Sequence, residues 1–241
     1  MRVVRSGEIA LITRASDHDF LFIDTQHAVF NRESVAALII SARGAGVSPL
    51  VRVRSHADPD AALFLDVGAG GLIVPDVNTA EDARSLVRWC RFPPRGQRSL
   101  PGPLVQDDFR PTAPIDAMRR ADAETVLVAM IETTVGVANA EEIAAVDGID
   151  VLHVGCVDLL LALGRPGEQG CTEILEAIEK VARAAGREWT ETFGSERLTG
   201  ALLDRMNHHV TILEMNGDSY PFNVRLFHSH PSTGLPAHRE G

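Results

Sequence analysis

The chain has 241 residues, 45% hydrophobic and 23% charged, with a formal net charge of −10. That length suits one α/β barrel, and the apolar share is enough for a sizeable core. The acidic balance argues against a nucleic-acid-binding surface or an anionic membrane partner, and no apolar run reaches the length of a membrane span. The 3 cysteines, Cys90, Cys156 and Cys171, have neither metal-ligand spacing nor the pattern of a secreted disulfide framework. The opening MRVVRSGEIA lacks the character of a signal peptide, so the expected setting is reducing and cytoplasmic.

Residues 1–5 read as a short first strand and residues 6–15 as an amphipathic helix. DFLFIDTQH supplies a second strand over 20–23, ending in Asp24 and His27. Asn31 is placed to cap a helix over 32–45, which Gly46 ends. SPLVRVR gives a third strand over 50–53, carrying Arg52. A helix over 59–67 runs into GAGG, and 72–74 form a fourth strand closed by Pro75 and Asp76. Those glycines follow a helix and precede a strand, the reverse of a phosphate-cradling loop, so no nucleotide site is expected. Thr79 and Asp82 make a capping-box-like start to a helix over 79–90. FPPRGQRSLPGPLVQDDFRPTAP is proline-rich and aperiodic, and ordered loops of such length are usually functional. Its Arg95 and Arg98 either reach substrate or a neighbouring subunit, or are surface charge.

After a short helix over 116–123 come strands five and six. The apolar run 126–131 stops at Glu132, and the run 151–156 stops at Asp158. Continuous apolar runs separated by a helical stretch suit a parallel sheet buried on both faces. The repeated β–α alternation fits an α/β barrel, whose C-terminal strand ends share one mouth. Two unpaired carboxylates facing each other repel and raise a pKa, a cost that a divalent cation between them removes. The local alternatives stay open. Glu132 also reads as an ordinary strand-to-helix loop residue, and Asp158 as the N-cap of a helix over 159–163.

Four motifs, FIDTQH, LVRVR, FPPRGQRS and IETTVG…VGCVDLL, make residues 1–186 resemble the HpcH/HpaI aldolase and citrate-lyase family of metal-dependent carbon–carbon lyases. The resemblance implies a TIM barrel that works beside an enolisable 2-oxo acid or a related acyl unit. It implies that Glu132 and Asp158 hold a divalent ion, Mg2+ or Mn2+, and that Arg52 binds the carboxylate of a pyruvyl group. Asp24 and His27 would then serve general acid–base chemistry. A planar guanidinium suits a carboxylate, and an imidazole moves a proton near neutral pH. In a bland reading His27 only sits against a loop carbonyl, and Arg52 only neutralises an acidic mouth. Gly155 either presents its amide to a substrate oxygen or makes a tight turn. Two departures stand out: Gln26 where many relatives have glutamate, and Cys156 where proline is common.

The chain changes character after residue 186. FGSERLTGALLDR and ILEMNGDSY resemble the end of the ATP-binding transposition helper proteins of insertion sequences, without that helper's ATPase motifs. Residues 187–241 therefore read as an unrelated tail, as if an aldolase frame ran on into mobile-element sequence. Its expected elements are a helix over 196–207 and a hairpin of strands 210–215 and 223–227. Strands seven and eight of the barrel would be replaced, leaving it open at its edges. His208, His209, His228 and His230 lack metal-site spacing. Members of the family exchange C-terminal helices in their oligomers, an element this tail lacks, so homo-oligomerisation is an open expectation. Two functions remain: a metal-dependent lyase cleaving 4-hydroxy-2-oxo acids or related acyl substrates, and a catalytically inactive truncated remnant of one. A nucleic-acid accessory role, suggested by the tail, conflicts with the acidic balance.

Overall fold

A computed structural model describes residue 2 and residues 4–192, with side-chain surroundings through residue 186. The helix, hairpin and histidines expected beyond residue 192 lie outside the described residues. Five parallel strands form one sheet in the order β1-β2-β3-β4-β5. They are β1 (Phe20–Asp24), β2 (Ser48–Arg52), β3 (Gly71–Val74), β4 (Val126–Ile131) and β5 (Val151–Val154). Helix α1 (Glu8–Ala15) precedes β1, and α2 (Arg32–Gly44) and α3 (Ala61–Asp66) follow β1 and β2. Helices α4 (Ala80–Cys90) and α5 (Pro114–Glu124) follow β3; α6 (Thr134–Ala138) and α7 (Ala140–Ala144) follow β4. Helices α8 (Cys156–Ala162) and α9 (Thr172–Thr192) follow β5. Sequence order and spatial order coincide, as in a TIM-type barrel.

The register explains the apolar runs. Asp24 pairs with Arg52, Arg52 with Ile73, Ile73 with Val128 and Val128 with Val151. Alternate residues then face opposite sides. Ile23, Val51, Leu72, Val74, Leu127, Ala129 and Ile131 pack with the helices in the main core. Ile73, Val128 and Met130 form a second cluster on the inner face, with Phe22, Leu50, Val126 and Val151 against it. Both faces are apolar, so the strands need no polar alternation. Among the described residues no helix is long and apolar enough to cross a membrane.

Several local expectations hold in detail. Asn31 caps α2 by accepting from the Ser34 N–H at 2.9 Å, and Thr79 and Asp82 form a reciprocal capping box on α4. Others are corrected. The strand expected over 1–5 is not formed at Arg2, Val4 or Arg5. Arg2 instead donates to Asp24, and Arg5 to the Val29 carbonyl, so the segment runs as coil. Helix α8 starts at Cys156 with Gly155 as its N-cap, which places Asp158 inside the first turn without a capping bond. Arg98 is 4% exposed, pairs with Asp66 at 2.8 Å and lies over the Phe92 ring at 4.6 Å. It is therefore a strut of the proline-rich loop, while Arg95 stands half-exposed, 3.8 Å from Asp122.

Arg91, 1% exposed, ties the loop after α4 to the sheet. Its guanidinium donates to the carbonyls of Asp122, Thr125 and Gly148 and to the Asp150 carboxylate. Truncation leaves those acceptors without their donor. Arg91→Ala is expected to lower unfolding stability by about 3 kcal/mol, seen as a lower urea midpoint at an unchanged slope. Arg95→Ala, at the exposed end of the same loop, should change it by less than about 0.5 kcal/mol.

Candidate active site

Glu132 follows the last residue of β4 and is 3% exposed. Its Oε1 accepts from the Asp76 N–H at 2.9 Å. Asp76 reaches that position through a left-handed backbone, φ 54°, which aspartate tolerates better than most residues. The surrounding loop is stitched to the end of β4. The Val77 N–H donates to the Met130 carbonyl, the Thr133 hydroxyl to Asn78 Oδ1, and Asn139 Nδ2 to the Asn78 carbonyl. Glu132 Oε2 is buried and has no hydrogen-bond partner among the described residues. A Cβ at Gly155 would lie 2.6 Å from that oxygen, so only glycine leaves it room. The Gly155 N–H, for which a substrate oxygen and a tight turn are both open readings in the sequence, donates to the Ile131 carbonyl at 3.0 Å.

The Asp158 carboxyl lies close enough to Glu132 for its charge to act on it. Both are acceptors when ionised, so neither satisfies the other. Burial pushes the Glu132 pKa up to about 7; the Asp76 amide opposes this, and the charges of Asp76 and Asp158 add to it. Among the described residues no arginine, lysine or histidine pairs with Glu132, Asp76 or Asp158. No group of three His, Cys, Asp or Glu among those residues has ligand geometry, so the centre is a carboxylate pair rather than a closed cage. An orphaned buried oxygen, a second acid beside it and no counter-charge among the described residues fit a hard divalent cation that keeps positions open for water or substrate.

The ends of β1 and β2 carry the other expected residues. Asp24 is 1% exposed and accepts from Arg52 Nε at 3.0 Å and Nη2 at 2.6 Å. It also accepts from Arg2 Nε at 2.8 Å and from the N–H groups of Gln26 and His27. Burial alone would raise its pKa, but Arg52 and the His27 amide, with Arg2, outweigh that and hold it at about 2. Arg52 is 7% exposed and lies over the Phe22 ring at 5.5 Å. Its Nη1 makes no hydrogen bond among the described residues. His27 is exposed, and Asp24 touches it through the backbone amide rather than the ring.

The structure thus brings Glu132 to Asp158, and Asp24 to Arg52, at the C-terminal edge of one parallel sheet. In the sequence Asp76 reads only as the end of a strand. A fourth acid at a strand end, after Asp24, Glu132 and Asp158, is the available signal.

Residues 5–196 match the HpcH/HpaI aldolase/citrate lyase family, and residues 182–227 match IstB-like ATP binding protein. The chain is 36% identical over 219 residues to a 4-hydroxy-4-methyl-2-oxoglutarate aldolase of Chaetomium globosum, covering 90% of this chain and 80% of that protein. It is 34% identical over 175 residues to a hydroxypyruvate/pyruvate aldolase of Delftia acidovorans, covering 73% of this chain and 65% of that enzyme. The solved HpcH/HpaI aldolase from Desulfitobacterium hafniense matches with a TM-score of 0.74 at 30% identity, over 85% of this chain and 80% of that one. The parallel sheet, the acids at its strand ends and these matches agree: the chain belongs to the HpcH/HpaI aldolase/citrate lyase family.

Proposed function

We propose that the chain is a divalent-cation-dependent aldolase that cleaves 4-hydroxy-2-oxo acids to a pyruvate-type enolate and an aldehyde. The observation that carries this is the buried Glu132 carboxylate beside Asp158, with one orphaned oxygen and, among the described residues, no cationic side chain to balance it. Both relatives named above are aldolases, which supports the reaction class. Glu132 and Asp158 would hold Mg2+ or Mn2+. When bound there, the ion supplies a Lewis acid worth several kcal/mol to developing enolate charge.

The remaining work falls to the chain's own groups. Asp24 grips Arg52 along Nε and Nη2, and Nη1 remains for the carboxylate of the 2-oxo acid. Asp24, held at about 2, stays ionised and serves as that anchor rather than as a proton carrier. His27, carried on the segment after β1, is assigned the proton transfer. It takes the proton of the substrate's 4-hydroxyl as the C3–C4 bond breaks. The bond pair becomes the enolate, the aldehyde departs, and the same proton returned to C3 completes pyruvate. Gly155 contributes space for Glu132.

A second reading, an inactive remnant that retains the carboxylate pair, draws on one feature. Among the described residues β1 and β5 each have a strand on one side only. Turnover separates the two readings. Purified protein with Mg2+ or Mn2+ is expected to release pyruvate from a panel of 4-hydroxy-2-oxo acids, and chelation should abolish it. Glu132→Gln or Asp158→Asn should lower kcat/KM about 10²–10³-fold. A soluble, folded protein that releases no pyruvate from any of them would favour the remnant.

Glu132 also sets a pH dependence. Its folded pKa of about 7 lies above the usual 4.5, so the metal-free fold holds an extra proton between those values. The stability it contributes is present below 4.5 and is lost as pH rises through about 7. Metal-free protein should be more stable at acid than at alkaline pH across that window, on the order of 2 kcal/mol, by chemical unfolding. Glu132→Gln should remove the difference. Asp24 has the opposite sign, losing its contribution only as pH falls toward about 2.

A further inference from the structure

Asp76 presents its backbone to Glu132 and its side chain to solvent. The residue is exposed, its carboxylate pairs with no basic side chain among the described residues, and its charge bears on Glu132. Its N–H fixes Oε1 of Glu132 and leaves Oε2, buried and unpartnered, as the atom that calls for a ligand of opposite charge. Direct ligation by Asp76 is not the role, since no three-acid group with ligand geometry exists among the described residues. A third carboxylate whose charge reaches Glu132 nevertheless deepens the negative potential that a cation meets there.

We propose that Asp76 is an outer carboxylate of the cation site, strengthening divalent binding through its charge and through solvent rather than as a ligand. The inference rests on Glu132 and Asp158 being the cation-holding pair. It assigns two jobs to one residue. The left-handed backbone positions Glu132, and the side chain tunes affinity. These jobs are separable because asparagine and glycine both adopt the left-handed conformation, keeping the amide in place without the charge.

The test is Mn2+ binding to the full chain, read as free Mn2+ by electron paramagnetic resonance, for wild type, Asp76→Asn, Asp76→Gly and Glu132→Gln. At low salt both Asp76 variants should bind about five- to tenfold more weakly than wild type, the scale of one unit charge acting on a dication several ångströms away. The deficit should shrink at high salt, because solvent-exposed charge is screened while a displaced ligand is not. Glu132→Gln should abolish binding. Equal affinity of Asp76→Asn and wild type would overturn the inference and leave the carboxylate pair standing. A loss that ignores ionic strength would also overturn it, by marking a structural effect. Wild type without Mn2+ affinity would overturn both this inference and the proposed function.

Discussion

The site depends on a carboxylate kept where a carboxylate alone is costly. Glu132 is 3% exposed, receives one backbone amide and faces another acid. A buried charge without a partner costs several kcal/mol, and a carboxyl so placed raises its pKa and takes a proton. The fold does more than tolerate this. The left-handed turn at Asp76 brings an amide to Oε1, the absent Cβ of Gly155 makes room for Oε2, and Asn78 binds Thr133 and Asn139 to hold the loop. Three separate segments converge to fix one side chain whose second oxygen has no partner among the described residues.

Asp24 shows the opposite arrangement in the same sheet. It is even less exposed than Glu132, yet its carboxyl is held at about 2 rather than raised to about 7. Burial acts in the same direction on both. The difference lies in the donors: Arg52 twice, Arg2 and two backbone amides for Asp24, against a single amide for Glu132. Pushing two carboxyl groups apart in this way gives them distinct chemical roles on one fold. One is a permanent anion that orients a guanidinium, and the other, in the proposed function, is an acid that gives up its proton to a cation.

The strands and caps were legible in the amino-acid sequence because their causes are local. Apolar runs such as VLVAMI and FLFID stand out when both faces of a strand are covered, and Asn31 and Thr79 cap helices through residues three positions away. Glu132 and Asp158 were visible as acids at matching strand ends. What escaped notice depends on distant partners. The Asp76–Glu132 bond joins residues 56 apart in the chain, and Arg98 looks like surface charge until Asp66 and Phe92 are folded against it. MRVVR has strand-like residues, but Arg2 and Arg5 find partners across the end of β1 instead of a ladder. Near residue 186 the composition changes, yet α9 runs from Thr172 to Thr192 through that point, so a change of sequence ancestry left no mark on the local helix.

The most direct test of the central claim is the proton count on cation binding. Calorimetric titration of Mn2+ in buffers of different ionisation enthalpy reports protons released per ion bound. Near pH 6 the Glu132 carboxyl should still hold its proton, so binding should release close to one proton. That release should fade at pH 8 and be absent from Glu132→Gln. Cation binding at pH 6 with no proton released would mean that the ion is held elsewhere, and the buried acid would lose its assigned purpose.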